Sequence, residues 1–249
     1  YVQGLNQFDP NALNDTSSVT LYLSVQISGT VFEDITGDGY TEDLNFGDAS
    51  GDQQALENVE VLLFKDGGDG LADGTDDEYL RSTTTNNAGF YSFNIGEDAD
   101  FWIVVNSKTG DLSNGTTWGE QTYGAAGALC EDGTGNTTTT VALGHCFGGR
   151  RGGISDNITS PYDANDLANA EHVIKRSVTN TGITGIDFGF SFNVVTRMND
   201  NDSDLGANRH SQGTLRQFIL NANSITGANT MRFVPSVPIT SSGNTGQWW

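Results

Sequence analysis

The chain has 249 residues, with 32 glycines, only 4 prolines, and 32 acidic residues against 11 basic ones, a net charge of −21. The absence of Lys/Arg clusters excludes phosphate-backbone recognition, no run reaches the length of a membrane-spanning helix, and short apolar runs set among many turn residues point to an all-β protein. The sequence starts at Tyr1 rather than Met, which reads as a mature product with its leader removed.

Residues 1–18 are polar and aperiodic and read as an N-terminal arm. From Val19 the chain alternates, with Val19, Leu21, Leu23, Val25 and Ile27 on one face, the period of a half-buried strand. Two readings stay open for this strand. It belongs to its own sandwich, or it is donated to a neighbouring copy, with Val19, Leu21, Leu23 and Val25 as contact residues.

Three further apolar runs, Ile27–Phe32, Val59–Phe64 and Gly89–Phe93, are separated by two Asp/Gly-rich loops. Between Glu33 and Glu78 there are 15 acidic residues and one basic residue, Lys65. Carboxylates crowded into short loops repel one another, and calcium, a hard cation that takes oxygen ligands, is the expected counter-ion. The first loop spaces Asp34, Thr36, Asp38 and Asp43 like the opening of an EF-hand, but Asn45 stands where that motif needs Glu, and the flanks read as strands. The second loop repeats the theme through Asp66, Asp69, Asp73, Asp76 and Asp77.

Further along, Phe101-Trp102-Ile103-Val104-Val105 reads as core. Cys130 and Cys146 enclose a Gly/Thr-rich loop; in an exported chain they pair as a disulfide, the competing reading being a metal site with His145. Sequons at Asn14, Asn114, Asn136, Asn157 and Asn201 suit an exposed, secreted protein as glycosylation acceptors.

The runs Ile27–Asp34 with Gly37-Asp38-Gly39, Asn58–Leu63, and Thr84–Phe93 together resemble a B-type repeat domain of the serine–aspartate repeat surface proteins and collagen adhesins. The resemblance covers Gln26 to about Asn106 and resumes at Ala170–Val173 and Thr184–Phe192. It implies an antiparallel Ig-like or prealbumin-like β-sandwich over 19–195, with 107–169 as an insertion between late strands. It also implies calcium ligands: Asp34, Thr36, Asp38, the Tyr40 carbonyl and Asp43 in the first loop, and Asp66, Asp69, Asp73 and Asp76 or Asp77 in the second. Gly37 departs from the family pattern. The lysine–asparagine cross-link of some family members is not expected, because none of Lys65, Lys108 and Lys175 lies on the first strand.

After Val195 the composition breaks. Residues 196–204 form an acidic hinge, and residues 205–249 contain Arg209, Arg216 and Arg232 but no Asp or Glu. The pattern Leu215, Phe218, Ile219, Ala222 at i, i+3, i+4 and i+7 predicts a short amphipathic helix, followed by a strand over 231–234. This stretch resembles the opening cap of a right-handed parallel β-helix. Phe218 and Phe233 are the candidate contact residues here, and the basic tail is complementary to the acidic body.

No hydrolase elbow, zinc-binding helix or nucleotide loop is present. His145, His172 and His210 share no spacing. The expected function is a non-enzymatic extracellular subunit of a surface fibre or layer, stabilised by calcium and assembling with copies of itself by strand donation or tail docking. The alternatives are an adhesin stalk or module binding a glycan or matrix ligand and, third, an accessory domain of a secreted glycan-active enzyme.

Overall fold

The structure is a computed structural model that describes residues 24–39, 53–131, 137–139, 144–150, 156–197 and 212–234. Its strands are β1 (Val25–Asp34), β2 (Gln53–Ala55), β3 (Glu60–Lys65), β4 (Glu78–Thr84), β5 (Phe90–Ile95), β6 (Ala99–Asn106), β7 (Glu120–Gly124), β8 (Leu129–Glu131) and β9 (Thr137–Thr139). Helix α1 (Ala164–Asn169) precedes β10 (His172–Val178), β11 (Phe188–Ser191) and β12 (Val194–Val195), and helix α2 (Leu215–Ser224) precedes β13 (Arg232–Phe233).

Two sheets make an Ig-like β-sandwich. One runs β2-β1-β11-β7, with β5 also paired to β1; the other runs β10-β6-β3-β4. Strand β1 serves three partners, lying antiparallel to β5 through Thr30, then parallel to β11 from Val31 and antiparallel to β2 from Phe32. Gly29 sits at the changeover, where a Cβ would meet the Ile186 carbonyl oxygen at 1.9 Å; only glycine permits that approach.

The sheets enclose Ile27, Val31, Tyr91, Phe93, Phe188 and Phe190 from the first and Val61, Leu63, Phe101, Ile103, Val105 and Ile174 from the second. The alternate residues of β3 and β6, Leu62, Phe64, Trp102 and Val104, form a second apolar layer with Ile158, Leu167 and Ala170. Both strands are therefore buried on both faces, which explains why Val61–Phe64 and Phe101–Val105 read as unbroken apolar runs. Trp102 and Trp118 are both core residues, so neither offers a stacking platform for a sugar.

The described parts of 107–169 are woven into the sandwich. Strand β7 pairs with β11, α1 and Ile158 cover the outer face of β3 and β6, and Ala125, Ala128, Cys130 and Cys146 join the main core. Cys130 and Cys146 are disulfide-bonded, and this overturns the metal reading with His145, since no thiolate is left to ligate.

The short helix forms where the sequence places it, with the Thr214 hydroxyl accepting from the Gln217 amide at 3.0 Å as its cap. Its buried side is polar. Gln217 and Asn221 are buried, whereas Leu215 and Ile219 are exposed and Phe218 is half-buried. Gln217 donates to the Thr116 carbonyl at 2.9 Å. The Asn221 amide donates to the carbonyls of Trp118 and Phe192, both at 3.1 Å, and accepts from the Trp118 N–H at 2.9 Å. Trp118 and Phe192 are buried and their backbone groups need partners, so the helix docks through its polar side.

Val25 pairs with Ile95 and packs on its own core. Val19, Leu21, Leu23, the arm and residues 198–211 lie outside the described residues.

The disulfide closes a loop with a sequence separation of 16. Replacing both cysteines by serine should cost about 3 kcal/mol by the loop-entropy relation. Urea denaturation of the oxidised protein and the double variant measures it; coincident curves would show the crosslink to be energetically idle.

Candidate metal centre

The loop between β3 and β4 sorts its five aspartates into two groups. Asp66 is buried and held by the protein: its Oδ1 accepts from the Gly68 and Gly70 amides, both at 3.2 Å, and its Oδ2 from Lys175 Nζ at 2.6 Å. Burial acts to raise the Asp66 pKa, but the Lys175 ammonium and the two amides outweigh it and hold the group below the usual carboxylate range. Lys175 also lies 3.5 Å from the Asp100 carboxylate and 4.7 Å from the Trp102 ring centroid. Asp77 accepts from Trp102 Nε1 and from the Gly74 amide, each at 3.0 Å. Burial raises its pKa against these two hydrogen bonds.

Asp69, Asp73 and Asp76 remain at the exposed rim, with ligating carboxylate oxygens all within 4.8 Å of one another. Asp69 Oδ1 accepts from the Leu71 amide and Asp73 Oδ1 from the Thr75 amide, both at 2.8 Å, so each closes a local turn. Ligands around a calcium ion at 2.3–2.6 Å stand at most about 5 Å apart, so the three oxygens have the spacing of one coordination sphere, and the donor set is purely oxygen. Gly67 makes room for the third acid: a Cβ there would lie 2.2 Å from the Asp76 carboxylate carbon.

The loop is clamped from beneath by Arg150, which is buried. Its guanidinium donates to the Ala72 carbonyl, to Leu167 and Ala168 at 2.6 and 3.0 Å, and to Ala170 at 3.0 Å, tying the loop to α1. Burial lowers its pKa to about 10, so the clamp stays cationic at neutral pH.

The first acidic loop behaves differently. Asp34, at the end of β1, is buried, and its carboxylate closes the turn: Oδ1 accepts from the Gly37 and Asp38 amides at 2.7 and 3.2 Å and from the Thr36 hydroxyl at 3.3 Å, Oδ2 from the Gly39 amide at 2.8 Å. Burial nonetheless raises its pKa, and burial together with the Asp34 charge pushes neighbouring Glu33 up to about 7. Tyr40 and Asp43 lie outside the described residues. Among the described residues only Asp69, Asp73 and Asp76 converge. Of the sequons, Asn114 and Asn157 are exposed, while Asn14, Asn136 and Asn201 fall outside the described residues.

Sequence reasoning missed a buried polar cluster at the junction between the sandwich and the C-terminal segment. His172 Nδ1 lies 2.8 Å from Gln121 Oε1, its Nε2 lies 2.7 Å from Gln212 Nε2, and the Asp156 carboxylate is 3.8 Å away. Gln212 donates to Nε2, so the imidazole is the neutral Nδ1–H tautomer, and burial holds its pKa below the usual value. Glu120 accepts from the Thr196 hydroxyl at 2.8 Å, and Ser107 accepts from Trp118 Nε1 at 2.9 Å and donates to the Asp156 carboxylate, with Gln212 Oε1 3.1 Å from its hydroxyl oxygen. Glu120, Asp156, His172 and Gln212 are all at most 1% exposed. The cluster locks segments together.

No protein-family model matches the chain. Among solved structures it is similar to the shaft pilin SpaA from Lactobacillus rhamnosus GG, at 8% identity and a TM-score of 0.33, over 68% of this chain and 51% of the pilin chain. This chain thus spans about half the length of that pilin, and at this level of similarity no functional statement follows from it.

Glu33 gives a pH test. Its folded pKa of about 7 lies above its ordinary 4.5, so its contribution is fully favourable below the lower value and is lost as pH rises through the higher one. In metal-free buffer, Glu33→Gln should match the wild type at pH 4 and be the more stable of the two at pH 8. Urea melts at both values measure this; parallel pH profiles would rule out the buried carboxyl as the source.

Proposed function

We propose that this chain is a non-enzymatic, calcium-stabilised β-sandwich subunit of an extracellular fibre or surface layer, built from copies of itself. The observation that carries the calcium part is the convergence of Asp69, Asp73 and Asp76 on a loop that Asp66–Lys175, Asp77–Trp102 and Arg150–Ala72 fasten to β10, β6 and α1. A cation held by the three carboxylates removes their mutual repulsion. Its binding free energy then adds to the stability of the packed elements beneath, because the unfolded chain lacks the site. Mechanical stiffening at one loop is what a load-bearing extracellular module gains from such an ion. The disulfide suits an oxidising compartment, and the resemblance of Ile27–Phe93 to B-type repeats supports the same reading. The ionisable groups of the interior support a structural role too, since His172, Asp156 and Glu120 are engaged in enclosed hydrogen bonds, Asp156 accepting from Ser107 and the Glu171 amide.

Calcium at one hundred times its dissociation constant should raise the unfolding free energy by about 2.7 kcal/mol. Asp69→Asn/Asp73→Asn/Asp76→Asn should lose that gain while melting no lower than the wild type in chelator, since the substitutions also remove repulsion. Calorimetric melting with and without calcium reads both effects, and a melting temperature indifferent to calcium would sink the metal site.

Electron microscopy of the native material tests the assembly. Ordered fibres or sheets that fray in chelator are expected. Dispersed monomers in both conditions would remove the polymer reading and leave a ligand-binding module of a surface adhesin in its place.

A further inference from the structure

Resting on the fibre-subunit reading, we infer that copies join head to tail, with the Leu71 tip of one acidic loop seated on the outward apolar face of the next copy's C-terminal segment. Large apolar side chains left in solvent are unevenly placed. Among the described residues six are exposed, and four of these, Leu215 at 44%, Ile219 at 50%, Met231 at 40% and Phe233 at 48%, belong to 212–234. Single exposed apolar residues need no explanation, whereas their concentration in the short stretch that holds α2 and β13 marks an interaction surface. The docking of α2 through its polar side creates this surface. Because Gln217 and Asn221 are spent on backbone groups of Thr116, Trp118 and Phe192, Leu215 and Ile219 point outward.

Charge selects the occupant. Arg216 and Arg232 stand exposed beside these apolar residues, and 212–234 carries no acidic side chain. All 32 acidic residues of the chain lie before residue 205, so a second copy brings a strongly acidic body to this basic face. One place on that body also offers an apolar contact with an acidic rim. Leu71 is 58% exposed, more than any other large apolar side chain described, and it stands between Asp69 and Asp73. An apolar tip with carboxylates around it matches an apolar face with guanidiniums around it. With a divalent ion on Asp69, Asp73 and Asp76 the three carboxylates still carry net negative charge, so ion binding and docking are compatible. The two surfaces are different parts of the molecule, which makes the contact heterologous and able to propagate into a filament.

The test uses two variants of the full chain, Leu215→Asp/Ile219→Asp, which spoils the tail, and Leu71→Ser, which removes the apolar tip of the loop without adding charge. All three sites are exposed, so melting temperatures should stay at the wild-type value and confirm folding. In sedimentation velocity with calcium, the wild type should form large species. Each variant alone should associate at least about tenfold more weakly, as loss of a central apolar anchor entails. A one-to-one mixture should give dimers and nothing larger, because one intact loop meets one intact tail. Wild-type assembly unaffected by either variant, or a mixture that stays monomeric, overturns this contact and leaves the fibre reading standing. A wild type that is itself monomeric overturns both.

Discussion

Strands β3 and β6 are covered on both faces, and the rest of the molecule follows from that double burial. Val61, Leu63, Ile103 and Val105 need an opposing sheet, while Leu62, Phe64, Trp102 and Val104 need a second cover on the other side. The first requirement makes the sandwich. The second recruits α1 and Ile158 and fixes where β10 begins. Arg150 then belongs to the same solution. Its guanidinium satisfies carbonyls of α1 and of the acidic loop that this packing takes out of water, a geometry suited to its several fixed N–H donors.

Acidic residues of one loop have different jobs because their surroundings differ. Asp66 and Asp77 are drawn inward by Lys175 and Trp102, while Asp69, Asp73 and Asp76 are turned out by short turns. The inner pair builds the platform on which the outer three converge, so charge density at the rim is set by the fold beneath it. Asp34 shows the contrary arrangement in the first loop. Its oxygens are taken up by three backbone amides and a hydroxyl of its own turn, and its role there is to shape the chain.

Local patterns in the sequence were good guides to local structure. The strand runs, the core position of Trp102, the disulfide and the short helix all stand where composition and spacing place them. What the sequence concealed depends on distant partners. The helix at 215–224 carries apolar residues at helical spacing, yet its buried side is polar, because Thr116, Trp118 and Phe192 offer backbone groups that only Gln217 and Asn221 can satisfy. The His172 cluster draws its members from Ser107, Glu120, Asp156 and Gln212, with no spacing rule to reveal it. Similarly, the Asp/Gly pattern identified two acidic loops but not which oxygens meet. That choice was made by Lys175, more than a hundred residues later in the chain.

The parallel pairing of Val31 with Phe188 sets the order in which the chain can become a sandwich. Strand β11 lies between β1 and β7, so its arrival closes the first sheet, and until then both neighbours present unpaired edges. Such edges invite association with other chains, and a contact joining residues this far apart in sequence is slow to form. The β1–β5 and β3–β4 pairs can assemble while the chain is still being made. The sheet itself must wait for residues 188–191, so a chain interrupted before them is sticky, and one that continues past them is not.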